Sequence, residues 1–365
     1  MINDAFSIKN LFFNMLKVGN IEILAKRSLA GQILDDSLLP INNNPAFIKS
    51  SFCLSVTIVQ IDGVTPVAFG TIIKQGNKQA YCMIDEADPQ YDGLVMTVEE
   101  MPSQDDGQII LKIKTTAKPK DFSGERLFTQ AFDSRDGERS LQQTILDTLV
   151  EKSIGMQECV NSTDPGLNKN ITIDISASDD KTLNARLAKI RDDCGFIVTD
   201  RYQFQCVQID RHSLIALEEK PDEDVTFERL NKDNKMALID DYLTEIYRLV
   251  NKEMFAALCD TNGVDVILAM QGDIPCGAVL TFKHRILACY AEKEWIAGCL
   301  LAQAAHMMSN TLVTLFIQKD SSELVKRIVK GATSIQPVCR MHTVKNIPSI
   351  KWSQVFCPNL GLSIF

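Results

Sequence analysis

The sequence predicts an α+β protein, with an N-terminal antiparallel β sheet or small barrel, a central small α/β module with two helix–Gly–strand units, and a C-terminal mixed α/β region. Three observations predict it. From Phe52 to about residue 120, apolar residues recur with the period of two expected of strands. Between Ser140 and Asp210, a helical pattern that ends in glycine occurs twice. From Thr226 onward, helical stripes alternate with short apolar runs. A chain of 365 residues suggests roughly two or three domains. The expected segments are an arm over 1–50, a β-rich domain over 51–125, the small α/β module over 126–215 and the α/β region over 216–365.

In the arm, Phe6, Leu11, Phe12, Met15 and Leu16 fit one amphipathic helix and Ile21 to Leu34 a second; Ile41 to Phe47 (INNNPAF) then breaks regular structure. In the β-rich segment, Phe52, Leu54, Val56 and Ile58 alternate with Cys53, Ser55, Thr57 and Val59, and Asp62-Gly63 supplies a turn. Val67–Lys74 and Gln79–Ile84 flank Gln75-Gly76-Asn77-Lys78, a hairpin signal because Gly and Asn tolerate positive φ. Leu94–Glu100 and Gln108–Thr115 make a further strand pair, and residues 118–124 mark a joint.

The central module opens with LQQTILDTLVEKSIG, whose Leu141, Ile145, Leu149 and Val150 share a stripe before Gly155. Its second copy is KTLNARLAKIRDDCG, with Leu183, Leu187, Ile190 and Cys194 before Gly195. Ile171–Ala177 (ITIDISA) reads as a half-buried strand, and FIVTDRYQFQCVQID as strand, turn at Asp200-Arg201, strand. Glu218–Asp224 is a charged linker. One long helix with Ile239, Leu243, Ile246, Val250, Met254 and Leu258 on its stripe ends at Asn262-Gly263. Val264–Met270 is a buried strand, Gly272–Gly277 a turn, Ala278–Phe282 a strand, Ala291–Ser309 a helix and Thr311–Ile317 a buried strand. Asp320 and Glu323 have capping-box spacing for a last helix that Gly331 stops, and Ser334–Phe365 reads as short strands and loops.

A net charge of −9 argues against a phosphate-tracking groove as the main function. The N-terminus lacks the basic and apolar regions of a signal peptide. The most apolar run, Trp295–Met308, is short of the roughly 20 residues needed to span a bilayer and reads as a core helix. Eleven cysteines without a CxxC read as small buried apolar residues in a reducing compartment, with Cys194 facing the core.

No GxxxxGK[ST], GxGxxG, GxSxG or HExxH motif occurs. Cys339 and His342 have a CxxH spacing, with Cys357 further on and His284 or His306 as a fourth ligand, but eleven Cys and four His make such a coincidence common. His212 reads as a surface residue and His306 as a satisfied core or helix-face residue. The acidic groups Asp85-Glu86-Asp88, Glu99-Glu100, Asp105-Asp106 and Asp179-Asp180 read as solvated turns rather than as metal sites. The expected catalytic, cofactor-binding and metal residues are therefore none.

The order of elements over 52–211, through QIILKIKTTAKPKDFSGERLFTQAFDSRDGERSLQQTILDTLVEKSIG and ASDDKTLNARLAKIRDDCGFIVTDRYQFQCVQI, resembles baseplate hub proteins of contractile phage tails and related injection machines. The helix–Gly–strand unit also resembles secretin N-terminal domains, and the missing signal peptide favours the hub. The resemblance implies a non-enzymatic structural protein acting as an oligomer. Its partners would be copies of itself and other tail or baseplate proteins, without nucleic acid or membrane insertion. Its place would be the virion or host cytoplasm, and it would hold no cofactor. The alternative is an intracellular enzyme with its site in the C-terminal α/β region, at the ends of Val264–Met270 and Thr311–Ile317, where Gln271, Asp273 and Lys319 are the residues to test.

Overall fold

The computed structural model describes residues 17–33, 52–102, 107–118, 139–155, 169–219, 224–230, 236–248, 251–347 and 349–362. The readings of Phe6–Leu16, Ile41–Phe47, Asp105-Asp106 and Ser123-Gly124 lie outside them. The chain divides into two compact units. Unit 1 comprises Met1–Ile173, Arg186–Val198 and His342–Val344, and unit 2 comprises Asp174–Ala185, Thr199–Met341 and Lys345–Phe365. The α+β class expected from the sequence is observed.

Unit 1 begins with helices α1 (Val18–Ala25) and α2 (Leu29–Ile33). Strands β1 (Cys53–Val59), β2 (Pro66–Lys74), β3 (Gln79–Ala87), β4 (Val95–Met101) and β5 (Gln108–Ala117) follow. Next come α3 (Leu141–Ile154), β6 (Asn170–Ser176, of which Asn170–Ile173 belong to unit 1), α4 (Asp180–Cys194, from Arg186 in unit 1) and β7 (Val198–Thr199). The strand order is β4-β5-β1-β2-β3-β6. It is an open sheet and not purely antiparallel, because β5 and β6 run parallel to β1 and β3. Parallel neighbours need a crossover rather than a tight turn. Period two shows the strands but not this pairing.

Helix α3 lies across β1, β2 and β3. Ser140 starts it by accepting the Gln143 N–H at 3.2 Å, and Gly155 ends it at φ +81. Its apolar stripe comes close enough that a Cβ on Gly70 would sit 2.1 Å from Ile145 Cγ2. The β2–β3 turn forms as expected, yet neither Gly76 nor Asn77 takes a positive φ; in the preceding turn Gly63 does, at +73. Ile171–Ala177 departs from the half-buried reading, since every residue of β6 is buried.

Unit 2 contains β8 (Phe204–Asp210), α5 (Arg211–Ile215), β9 (Val225–Arg229), α6 (Met236–Ile246) and α7 (Lys252–Asp260). It continues with β10 (Val264–Gln271), β11 (Ile274–Phe282), β12 (Arg285–Ala291), α8 (Glu294–Met307), β13 (Leu312–Gln318), α9 (Glu323–Lys330), β14 (Ala332–His342) and β15 (Val355–Cys357). Its strand order is β9-β10-β11-β12-β13-β8-β14, with β15 beside β12. The expected single long helix is two helices, because Asn251 caps α7 by accepting the Met254 N–H. The expected turn over Gly272–Gly277 shortens to Gly272-Asp273, since β11 starts at Ile274. Strand β12 had no period to announce it: Ile286–Ala291 are all buried. The last helix is capped by Ser322, not Asp320, which takes φ +55. Helix α8 packs on β10, β11 and β12, with nine of its residues buried from Ile296 to Ala305. No helix among the described residues is long and apolar enough to cross a membrane.

The two helix–Gly–strand units expected within Ser140–Asp210 are present, as α3, Gly155 and β6 and then α4, Gly195 and β7. Helix α3, strand β6 and helix α4 are successive elements of the chain, and any two amphipathic helices ended by glycine (Gly155 at φ +81, Gly195 at φ +73) share that pattern. The larger correspondence runs between units: an antiparallel trio (β1–β2–β3; β10–β11–β12), a helix, and a strand parallel to the last member of the trio.

Candidate functional site

Parallel neighbours that separate leave backbone amides and carbonyls without ladder partners. Both units have such a place. In unit 1, β3 and β6 pair from Gln79↔Asn170 to Cys82↔Ile173, and Ile173 is the last residue of β6 in that unit. Past Cys82, β3 continues to Ala87 with β2 as its remaining strand neighbour among the described residues.

This stretch of β3 carries Asp85 and Glu86, which are 5% and 7% exposed. The expectation of solvated turn charges is wrong for these two, because the strand extends to Ala87 and buries both. Asp85 Oδ1 has no hydrogen-bond partner, and its Oδ2 lies 3.8 Å from Cys194 Sγ. Burial, reinforced by the neighbouring Glu86 carboxylate, holds the Asp85 carboxyl well above the usual carboxylate range. Glu86 is also raised by burial, opposed by Arg186 (3.4 Å to Oε1) and Arg27 (3.7 Å to Oε2). Gln142, in the first turn of α3, donates to the Asp85 carbonyl at 3.4 Å. One turn on, Asp147 pairs with Arg139 and is raised by burial. The Cys82 and Cys194 thiols are pushed well up by burial and then by the Asp85 charge, so neither is an activated nucleophile. Chemically, the arrangement is a carboxyl made more basic than usual by burial and by a neighbouring carboxylate, on a stretch of β3 with one strand neighbour among the described residues.

In unit 2, β12 and β13 meet only at Arg285↔Thr314. Here the gap is filled: β15 pairs antiparallel with β12 at Cys289↔Cys357 and Tyr290↔Val355, and also touches β13. At the start of α8, Lys293 gives no side-chain cap, and the Glu294 carboxylate accepts the Leu324 N–H at the start of α9. Glu219, Glu294, Trp295, Glu323, Leu324 and Arg327 line a cleft of about 350 Å³ there. A second cavity, of about 360 Å³, lies where α8 ends and includes Lys283, His284 and Asn310. Burial, with Arg285 and Lys283, pushes the His284 imidazole down from its ordinary value.

Gln271, Asp273 and Lys319 are all exposed. The strand directions put them at one end of the unit 2 sheet, but β11 and β12 stand between β10 and β13, so no common site forms. His212 and His306 are exposed. His342 Nδ1 lies 2.9 Å from Thr172 Oγ1, Cys339 is half-buried on β14, and Cys357 lies against Cys289. Among the described residues, no three His, Cys, Asp or Glu side chains gather as metal ligands. The ten described cysteines are free, eight of them buried. The signal that marks Asp85 and Glu86 is the uninterrupted run AYCMIDEA, in which two acids continue a strand rather than follow it.

A family model described as a domain of unknown function (DUF7596) matches residues 40–198. No curated protein matches. Among solved structures, the chain is similar to the GCN5-related glucosamine N-acetyltransferase region of a fungal multi-domain β-N-acetylglucosaminidase. That match has a TM-score of 0.50 and 11% identity, and it covers 89% of this chain and 36% of that one. It is also similar to an acetyltransferase of Pyrococcus horikoshii (TM-score 0.46, 15% identity, 81% and 76% covered). A third is a tandem GNAT protein of clavulanic acid biosynthesis (0.38, 9%, 77% and 81%). The fold is that of GCN5-related N-acetyltransferases. This overturns the baseplate-hub resemblance, the non-enzymatic assignment and the virion and phage-tail reading. The resemblance misled because it rested on the order of elements over 52–211, a likeness of pattern without a specific motif.

Proposed function

We propose that this chain transfers an acyl group from a thioester donor to an amine at the edge of β3 beyond Cys82. One observation carries the reading: beyond Cys82, β3 has β2 as its one strand neighbour among the described residues, and the unpartnered Oδ1 of buried Asp85 lies on that stretch. The fold family implies an acyl-coenzyme A donor, which supplies an activated carbonyl. Unit 1 fits such a donor at its thioester end. The backbone of Met83–Ala87 would hold an amide-bearing arm as an added strand, and Asp85 is the base within that stretch. Asp85 takes the amine proton as the new C–N bond forms and the C–S bond breaks, and the thiolate leaves to be protonated by water. Arg27 and Arg186 oppose the effect of burial on Glu86 at the same strand end, and the Glu86 carboxylate adds to burial in making the Asp85 carboxyl basic.

The test is release of free thiol from acetyl-coenzyme A by the purified full chain across a panel of primary amines. Asp85→Asn should lower the rate by about 10²–10⁴-fold. Absence of amine-dependent thiol release overturns the reading, and full activity in Asp85→Asn removes Asp85 from it.

A further inference from the structure

We propose that unit 2 is a copy of the fold closed from within: β15 stands along β12 where a donor would stand along β3, so unit 2 takes no thioester donor and its tail is a fixed part of its sheet. The inference rests on reading the strand gap as the donor's groove. Three independent features carry it. First, β15 uses the β12 edge itself, pairing at Cys289↔Cys357 and Tyr290↔Val355, and Val355, Phe356 and Cys357 are all buried. A ligand arm could reach that edge only by expelling a strand.

Second, the segment around β15 is anchored on both sides. Before it, the Lys351 N–H donates to the Ile246 carbonyl at 2.9 Å, and the Trp352 ring lies 4.9 Å from Tyr202 and 5.5 Å from Phe204. After it, Asn359, Leu360 and Leu362 are buried, and the Gly361 N–H donates to Asp174 Oδ2 at 3.2 Å. That carboxylate is itself fixed by Arg340, whose Nε and Nη2 donate at 2.7 and 2.8 Å.

Third, the charge at the helix start opposes the phosphates of such a donor. A helix N-terminus binds anions through free N–H groups. Here Glu292 and Glu294 flank Lys293 without a glycine between β12 and α8, and the Glu294 carboxylate already takes the Leu324 N–H of α9. Glu219 and Glu323 line the same cleft with Arg327, which pairs with Glu219, so three carboxylates stand against one guanidinium in that lining.

Hydrogen exchange of the full chain, read by mass spectrometry with and without acetyl-coenzyme A, tests this. Protection of Arg285–Ala291 and Val355–Cys357 should be high and unchanged by acetyl-coenzyme A, with any new protection confined to β3. Faster exchange at Val355–Cys357 together with altered β12 protection on adding acetyl-coenzyme A would show a displaceable flap and overturn the proposal. Phe356→Ala, which loosens β15, should raise β12 exchange without creating donor-dependent protection there; donor-dependent protection in that variant also overturns it. If β3 stays unchanged with acetyl-coenzyme A, the proposed function fails while the closure of unit 2 stands.

Discussion

Units 1 and 2 share a device, a parallel strand pair joined over only part of the antiparallel trio's last strand, and complete that strand's edge differently. In unit 1 the freed edge of β3 has no further strand among the described residues, and two buried carboxyls sit on it. In unit 2 the freed edge of β12 receives β15, and acidic side chains gather at the nearby helix starts. The difference teaches that a strand edge needs a partner but does not specify its source. A gap that the chain fills for itself becomes architecture, and an edge without a further strand among the described residues is where the proposed donor would stand.

The comparison breaks most forcefully at the Arg340–Asp174 pair, where both side chains are essentially inaccessible. Replacing Arg340 by Met leaves Asp174 buried and unpaired, which should cost about 3–5 kcal/mol. The loss should appear as a lowered denaturant midpoint followed by Trp fluorescence, with Trp352 in the same unit reporting. Unit 1 has its counterpart in Gly70. Gly70→Ala drives a methyl into Ile145 of α3 and should cost about 1–3 kcal/mol, read in the same titration.

A finer contrast comes from pH. In the folded state Asp85 binds its proton more tightly than in the unfolded chain. Between the unfolded and the raised folded value, the native state holds a proton that the unfolded state has lost. Stability therefore falls as pH rises through that window and is highest below it. Asp85→Asn should remove that fall and raise the melting temperature at neutral pH relative to the parent, while leaving the two proteins closer at acid pH. A parent whose stability is flat over the same range would contradict the burial of Asp85. The smallest effect concerns thiols. Burial pushes Cys53 up to about 12 and Cys82 and Cys194 well above the ordinary thiol range, so native alkylation should label few cysteines and denaturation the rest.

Much of the secondary structure was legible because the chain marks it locally. Ser140 and Gly155 bracket α3, and Gly195 follows α4. What was not legible depends on partners distant in sequence. That β5 runs parallel to β1, and that Val355–Cys357 is a strand at all, follow from edges supplied elsewhere in the chain. Strand β12 was missed because a strand buried on both faces has no alternation. Asp85 and Glu86 looked like turn residues because acids are usually solvated; only the continuation of β3 buries them. The separation of paired strands, which defines the candidate site, is a property of register and leaves no mark in residue type.

The most direct measurement of the central claim is the binding stoichiometry of acetyl-coenzyme A on the intact chain, by isothermal titration calorimetry. One site per chain is predicted, with the open gap of unit 1 occupied and that of unit 2 held by its own tail. Two sites per chain, or none, would contradict the account.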